Sequence, residues 1–245
     1  MRTEIAVMLI AISLIFAGCS SNQQLFSGKQ MEQILQKEIT KNIFVNYLLY
    51  LPENYNSNST SEKWPLIMFL HGSGERGTDI EKVKVHGPPK LIAEGKSFPF
   101  IVLSPQCPDY QSWDTDVLDF LLTDICKNYN VDKNRIYVTG LSRGGTGTWD
   151  LAARFPNRFA AIAPICGRVD VPTAELYKGL SIWVFHGAKD KVVPAGDSQK
   201  MVDAIKKTGG NVKFTLYPEA GHDSWTETYN NPELYEWFLK NKRIE

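Results

Sequence analysis

Ser142 stands between two glycines in the run Gly140-Leu141-Ser142-Arg143-Gly144. A serine hydroxyl attacks a carbonyl only if a base takes its proton and a third group holds that base. The chain has four histidines to supply the base: His71, His86, His186 and His222. For a serine on a strand-to-helix turn, the order along the chain is serine, then acid, then histidine. That order leaves His186 and His222. His186 ends an apolar strand and is followed by Gly187-Ala188-Lys189-Asp190, so its segment offers the acid, with His186 itself read as a strand-end residue bonded within the loop. His222, in Ala220-Gly221-His222-Asp223, follows the last strand and is the expected base. Asp190 is the expected acid, because a strand end delivers its carboxylate to the top of the sheet. Asp197 reads as a helix N-cap, Asp170 precedes any strand that could carry it, and Asp223 adjoins the base.

A tetrahedral oxyanion needs two rigid donors, and losing one costs roughly 3 kcal/mol of transition-state stabilisation. One expected donor is the backbone amide of Arg143, the residue after the nucleophile. The other comes from the glycine-rich loop Leu70-His71-Gly72-Ser73-Gly74-Glu75-Arg76-Gly77, with the Ser73 amide preferred and that of Gly72 second. His71 reads as a turn-stabilising residue, and Glu75 with Arg76 as a local ion pair. No paired-histidine spacing, no Cys-x-x-Cys and no Gly-x-Gly-x-x-Gly opening a helix is present, so neither metal nor cofactor is expected.

These residues need a rigid frame. Apolar runs at residues 44–50, 66–70, 100–103, 135–139, 160–163, 182–185 and 213–217 read as strands, several of them apolar throughout, as strands buried on both faces must be. Helical patterns lie between them. In residues 116–125 the spacing sets Val117, Phe120, Leu121 and Ile125 on one face. Others run through 149–155, 198–206 and 232–239, the last with Asn231 as N-cap and Pro232 in the first turn. The alternation of strand and helix predicts an α/β fold with a mostly parallel central sheet and helices on both faces.

Four segments together resemble one family: His71-Gly72-Ser73-Gly74-Glu75-Arg76-Gly77, Gly140-Leu141-Ser142-Arg143-Gly144-Gly145, Phe185-His186-Gly187-Ala188-Lys189-Asp190 and Gly221-His222-Asp223-Ser224-Trp225. The resemblance is to the α/β-hydrolase superfamily. Within it, the likeness is to the esterase branch holding phospholipase/carboxylesterase-like, dienelactone-hydrolase-like and polysaccharide-deacylating enzymes. It implies the α/β-hydrolase fold over residues 41–245 and a serine carboxylesterase working through an acyl-enzyme. Arg143 departs from the Met or Gln more usual after the nucleophile; its amide still serves, and its side chain adds a cation to the pocket.

The first twenty residues differ in character. The apolar run of residues 5–16 is too short for a comfortable bilayer anchor, and it ends in Phe16-Ala17-Gly18-Cys19. This is similar to a bacterial lipoprotein signal over residues 1–18, in which Cys19 becomes the lipidated N-terminus; an ordinary cleaved secretory peptide is the alternative. Residues 19–40 then read as a polar tether. Export to the periplasm, outer membrane or cell surface is expected, with the lipid on Cys19 as the contact with membrane. Of the remaining cysteines, Cys107 and Cys126 are the pair to test for a disulfide, while Cys166 reads as a buried small residue.

Lys and Arg total 27 and Asp and Glu total 27, interspersed, so no electrostatic footprint for nucleic acid exists. The partner is expected to be a small or polysaccharide-linked ester. Trp113, Trp225 and Tyr229 fall near the mouth of the site, and the first two are candidate substrate-binding residues through stacking on a sugar or phenolic acyl group. Trp149 and Trp237 read as core. Acetyl or feruloyl esters of plant polysaccharide are the substrates that the resemblance implies. A serine peptidase with the same triad and a catalytically silent binding lipoprotein stand as alternatives.

Overall fold

The fold is seen in a computed structural model that describes residues 42–58 and 62–243. The leader, Cys19 and the tether lie outside the described residues. No helix among the described residues is long and apolar enough to cross a membrane.

Seven strands form one sheet: β1 (Tyr47–Tyr50), β2 (Trp64–Leu70), β3 (Ile101–Pro105), β4 (Val131–Leu141), β5 (Ala161–Ile165), β6 (Ser181–Gly187) and β7 (Val212–Tyr217). Their order is β1-β3-β2-β4-β5-β6-β7. Only β1 is antiparallel, against β3; every other pair is parallel. All seven lie where the apolar runs predict.

Parallel strands must bury both faces, and β2 shows why its run is unbroken. Leu66, Met68 and Leu70 enter one core, while Ile67 and Phe69 enter the other, and all five are fully inaccessible. The first core is covered by α2 (Thr115–Asn128), α3 (Arg143–Arg154) and α4 (Ala195–Lys207) through residues such as Leu122, Trp149 and Ile205. The second is covered in part by α6 (Pro232–Lys240), through Leu234 and Phe238. As expected, Asn231 caps α6, its side chain accepting from the Glu233 amide, with Pro232 in the first turn.

Three local readings are corrected. Helix α2 buries Leu118, Leu122 and Ile125 and leaves Phe120 62% exposed, so the core-facing stripe is not the one expected. The two stripes share Ile125, and Val117 and Leu121 of the expected one are partly buried, Leu121 against the same core. Helix α4 starts at Ala195, with Pro194 at its N-cap; Asp197 lies in the first turn and pairs with Lys200 at 3.2 Å. Cys107, Cys126 and Cys166 are all free thiols, so no Cys107–Cys126 disulfide forms. Two short helices were not anticipated: α1 (Gly87–Ala93), whose Pro88 and Pro89 occupy the first turn, and α5 (Trp225–Asn230), directly after the expected base.

Candidate active site

At the end of β4 the chain turns into α3 within one residue, Ser142, whose backbone sits at φ 52° and ψ −116°. A non-glycine residue with positive φ is strained, and here backbone crowding fixes it. A Cβ on Gly144 would lie 1.9 Å from the Leu70 carbonyl oxygen, and one on Gly140 would lie 2.4 Å from that of Gly144. Only glycine allows β2, β4 and α3 to come so close. The turn raises the Ser142 hydroxyl above the C-terminal edge of the sheet, at the positive end of the α3 dipole.

Ser142 Oγ lies 2.9 Å from His222 Nε2, and His222 Nδ1 lies 2.7 Å from Asp190 Oδ2. The carboxylate can only accept, so His222 carries its proton on Nδ1 and offers Nε2 as the acceptor for the serine proton. The Asp190 side chain is sealed from solvent. Burial opposes its charge, but hydrogen bonds from His222 and from the Val193 and Val192 amides outweigh it, holding the carboxyl below its ordinary pKa. The acid is therefore ionised where the relay needs it.

His186 has a second contact that the sequence reading did not foresee. Its Nε2 lies 2.9 Å from the Val193 carbonyl and 3.1 Å from the same Asp190 Oδ2 that holds His222. The carbonyl demands a donor, so Nε2 is protonated and Nδ1 accepts from Ser198 Oγ at 2.8 Å. The ring is fully buried. It braces the acid from behind; the signal available was a histidine four residues before Asp190 on the same strand end.

His71 behaves as the turn-stabilising residue expected. Nδ1 donates to the Gly72 carbonyl at 2.7 Å, and Nε2 accepts from the Cys107 amide at 3.0 Å, tying the glycine-rich loop to the end of β3. Burial, with help from the Arg76 charge and against the Gly72 hydrogen bond, lowers its pKa from 6.5 to about 4. Glu75 does not pair with Arg76. It turns inward, 3.9 Å from His71 Nδ1 and 3.8 Å from His86 Nε2, while Arg76 donates to the Ser73 and Gln111 carbonyls. Packing under the loop, not sequence adjacency, decides the partner.

The amides of Arg143, Ser73 and Gly72 donate to no protein acceptor among the described residues. Ser73 and Arg143 line a cavity of about 280 Å³ over Ser142, together with Thr146, Arg168, Val192 and Val193. Arg168 was not singled out in the sequence, although its place after the end of β5 was visible. Neither Trp113 nor Trp225 is among the lining residues. Trp113 packs edge-on against His71, its Nε1 3.4 Å from the His71 carbonyl, and fills the space left by Gly147. Trp225 stands at right angles to the His222 ring, 5.4 Å between centroids, with His86 beyond it. Tyr229, expected near the mouth, is buried against Phe69 with its hydroxyl 3.1 Å from Thr139 Oγ1. Among the described residues, one group of side chains has metal-ligand spacing: Cys166, Asp190 and His222. It does not fit an ion well. Asp190 and His222 already bond each other, and burial raises the Cys166 thiol to about 12.

A seven-stranded sheet with one antiparallel edge and a serine at its central strand-to-helix turn defines an α/β-hydrolase. Residues 113–235 match the Dienelactone hydrolase family, and the chain belongs to that family. It is 28% identical over 200 residues to a bifunctional acetylxylan esterase/xylanase of Neocallimastix patriciarum, covering 77% of this chain and 27% of that protein. It is 24% identical over 217 residues to feruloyl esterase D of Neurospora crassa, covering 84% and 72%. Among solved structures, a thermostable esterase superposes with TM-score 0.70 at 36% identity, over 81% of this chain and 60% of that one. The chain thus spans about a quarter of the first of these relatives and most of the second.

Two outcomes are expected. Below pH 6.5 the unfolded chain binds a proton at residue 71 that the folded site refuses until about pH 4, so stability is full above 6.5 and declines as pH falls. Thermal unfolding of wild type between about pH 7 and 4.5 should show a steeper loss than His71→Gln, which has no titrating ring. His186→Leu should lower kcat about 10- to 100-fold with KM little changed, less than the ~10⁴ lost when a triad acid is replaced. His186→Gln, which keeps a donor, should recover part of it in steady-state kinetics.

Proposed function

We propose that this chain is a serine carboxylesterase that hydrolyses carboxylic esters through an acyl-enzyme on Ser142, with acetyl or feruloyl esters of plant polysaccharide as substrates. The observation that carries this reading is the continuous relay from Ser142 Oγ to His222 to Asp190, at 2.9 Å and 2.7 Å. His222 Nε2 takes the hydroxyl proton as Oγ bonds to the ester carbonyl carbon. The carbonyl electron pair moves to oxygen, where the Arg143 and Ser73 amides receive the charge at the head of α3. As the C–O bond to the alcohol breaks, His222 returns its proton to the leaving oxygen. Water then attacks the acyl-serine by the same route, releasing the acid and restoring the hydroxyl. The names of the relatives, an acetylxylan esterase/xylanase and a feruloyl esterase, support the choice of acyl group.

Export and lipidation at Cys19 belong to the same reading. A polysaccharide ester is met outside the cell, and a relative from Arthroderma benhamiae is described as a secreted protein.

Ser142→Ala should abolish release of 4-nitrophenol from 4-nitrophenyl acetate, where wild type turns over. Acetylated xylan, methyl ferulate and a peptide anilide assayed in parallel should give turnover on the esters alone; cleavage of the anilide in preference to both esters overturns the proposal in favour of a peptidase. Wild-type activity should fall on acidification, since a protonated His222 cannot accept the serine proton. Separately, Cys19→Ala should move the protein from the membrane fraction to the soluble one; equal partitioning overturns the anchor.

A further inference from the structure

The cavity over Ser142 is lined by two positively charged side chains and no negative one. Of its lining residues only Arg143 and Arg168 are charged, in a chain whose basic and acidic residues balance at 27 each. The positive charge is thus a property of the site and not of the protein. The Arg143 guanidinium is aimed, its Nε donating to Ser73 Oγ and its Nη1 to Ser112 Oγ, each at 3.0 Å. Neutral hydroxyls orient it without cancelling its charge. Arg168 is placed by its own amide, which donates to Thr146 Oγ1 at 2.9 Å and holds the loop after β5 against the cavity.

Three other arginines of this protein pair with carboxylates, while Arg76 and Arg243 donate to neutral oxygens away from the cavity lining. Arg135 pairs with Asp132, Arg154 with Asp116 and Arg158 with Asp119. Among the described residues neither Arg143 nor Arg168 has a carboxylate partner. Guanidinium groups present forked donors that match a carboxylate in two parallel hydrogen bonds. A neutral acetyl or aryl ester uses none of this.

We infer that the cavity selects acidic esters, binding through Arg143 and Arg168 a carboxylate carried by the substrate near its scissile bond. The inference rests on the esterase reading above. Two chemical sources fit. The carboxylate sits on the alcohol side, as in an ester of an acidic saccharide, or on the acyl side, as in a half-ester of a dicarboxylic acid. The cation also draws such a substrate to a site that the neutral surface does not otherwise advertise.

The test compares kcat/KM for two pairs of esters on the full chain. On the alcohol side the pair is 4-acetoxybenzoate and 4-acetoxybenzamide. On the acyl side it is 4-nitrophenyl hydrogen adipate and its carboxamide counterpart. In wild type, one pair should favour the carboxylate about tenfold or more, identifying the source, and added salt should shrink that ratio. In Arg143→Gln and Arg168→Gln the ratio should fall, and in the double variant approach one. Each ratio is taken within a single protein, so a general loss of activity cancels. A wild-type ratio of one or below in both pairs, or a preference that survives both substitutions, overturns the inference. Failure to hydrolyse any ester, the neutral ones included, overturns the esterase reading and this inference with it.

Discussion

Three backbones meet within van der Waals distance where β2, β4 and α3 converge, and the position of Ser142 depends on that contact. The Cα of Gly144 lies against the Leu70 carbonyl so closely that a methyl group there would overlap it at 1.9 Å. Ser142 bears the consequence in a backbone conformation that a free chain rarely visits, at φ 52°. Strain of this kind, of order 1–3 kcal/mol, persists only when its surroundings over-determine it. Two buried cores and six parallel or antiparallel neighbour pairings supply that rigidity.

The same principle places the other groups. Each is held at a strand end by hydrogen bonds that leave one tautomer or one charge state. His71 has a carbonyl at one nitrogen and an amide at the other, so it stays neutral and anchors the loop carrying Ser73. His186 is fixed likewise by the Val193 carbonyl and Ser198. Asp190 receives two imidazoles and two amides, enough to keep a buried carboxylate ionised. The chemistry proposed for Ser142 and His222 thus rests on neighbours that would never touch the reacting carbon.

Much of this was legible in the sequence because it is written in local patterns. Strands buried on both faces are apolar runs, and all seven could be placed from them. The glycines around Ser142 and the order of Ser142, Asp190 and His222 marked one end of the sheet. What was not legible depends on tertiary packing. Two helical stripes of α2 share Ile125, and only packing in the core shows that Leu118 and Leu122 are the fully buried partners. Pro88 and Pro89 carry no helical periodicity, yet prolines suit the first turn of α1. Glu75 beside Arg76 suggests a pair, whereas burial under the loop sends the carboxylate toward two histidines. Trp113 and Trp225 pack edge-on against His71 and His222, contacts that no local pattern announces.

The three free thiols have a consequence of their own. Cys107 and Cys166 are buried, Cys126 is half-buried, and none is joined to another. Every force that holds the described residues together is therefore non-covalent, and none of it waits on an oxidant. Such a domain reaches the same final state whether the surrounding medium is rich in air or starved of it.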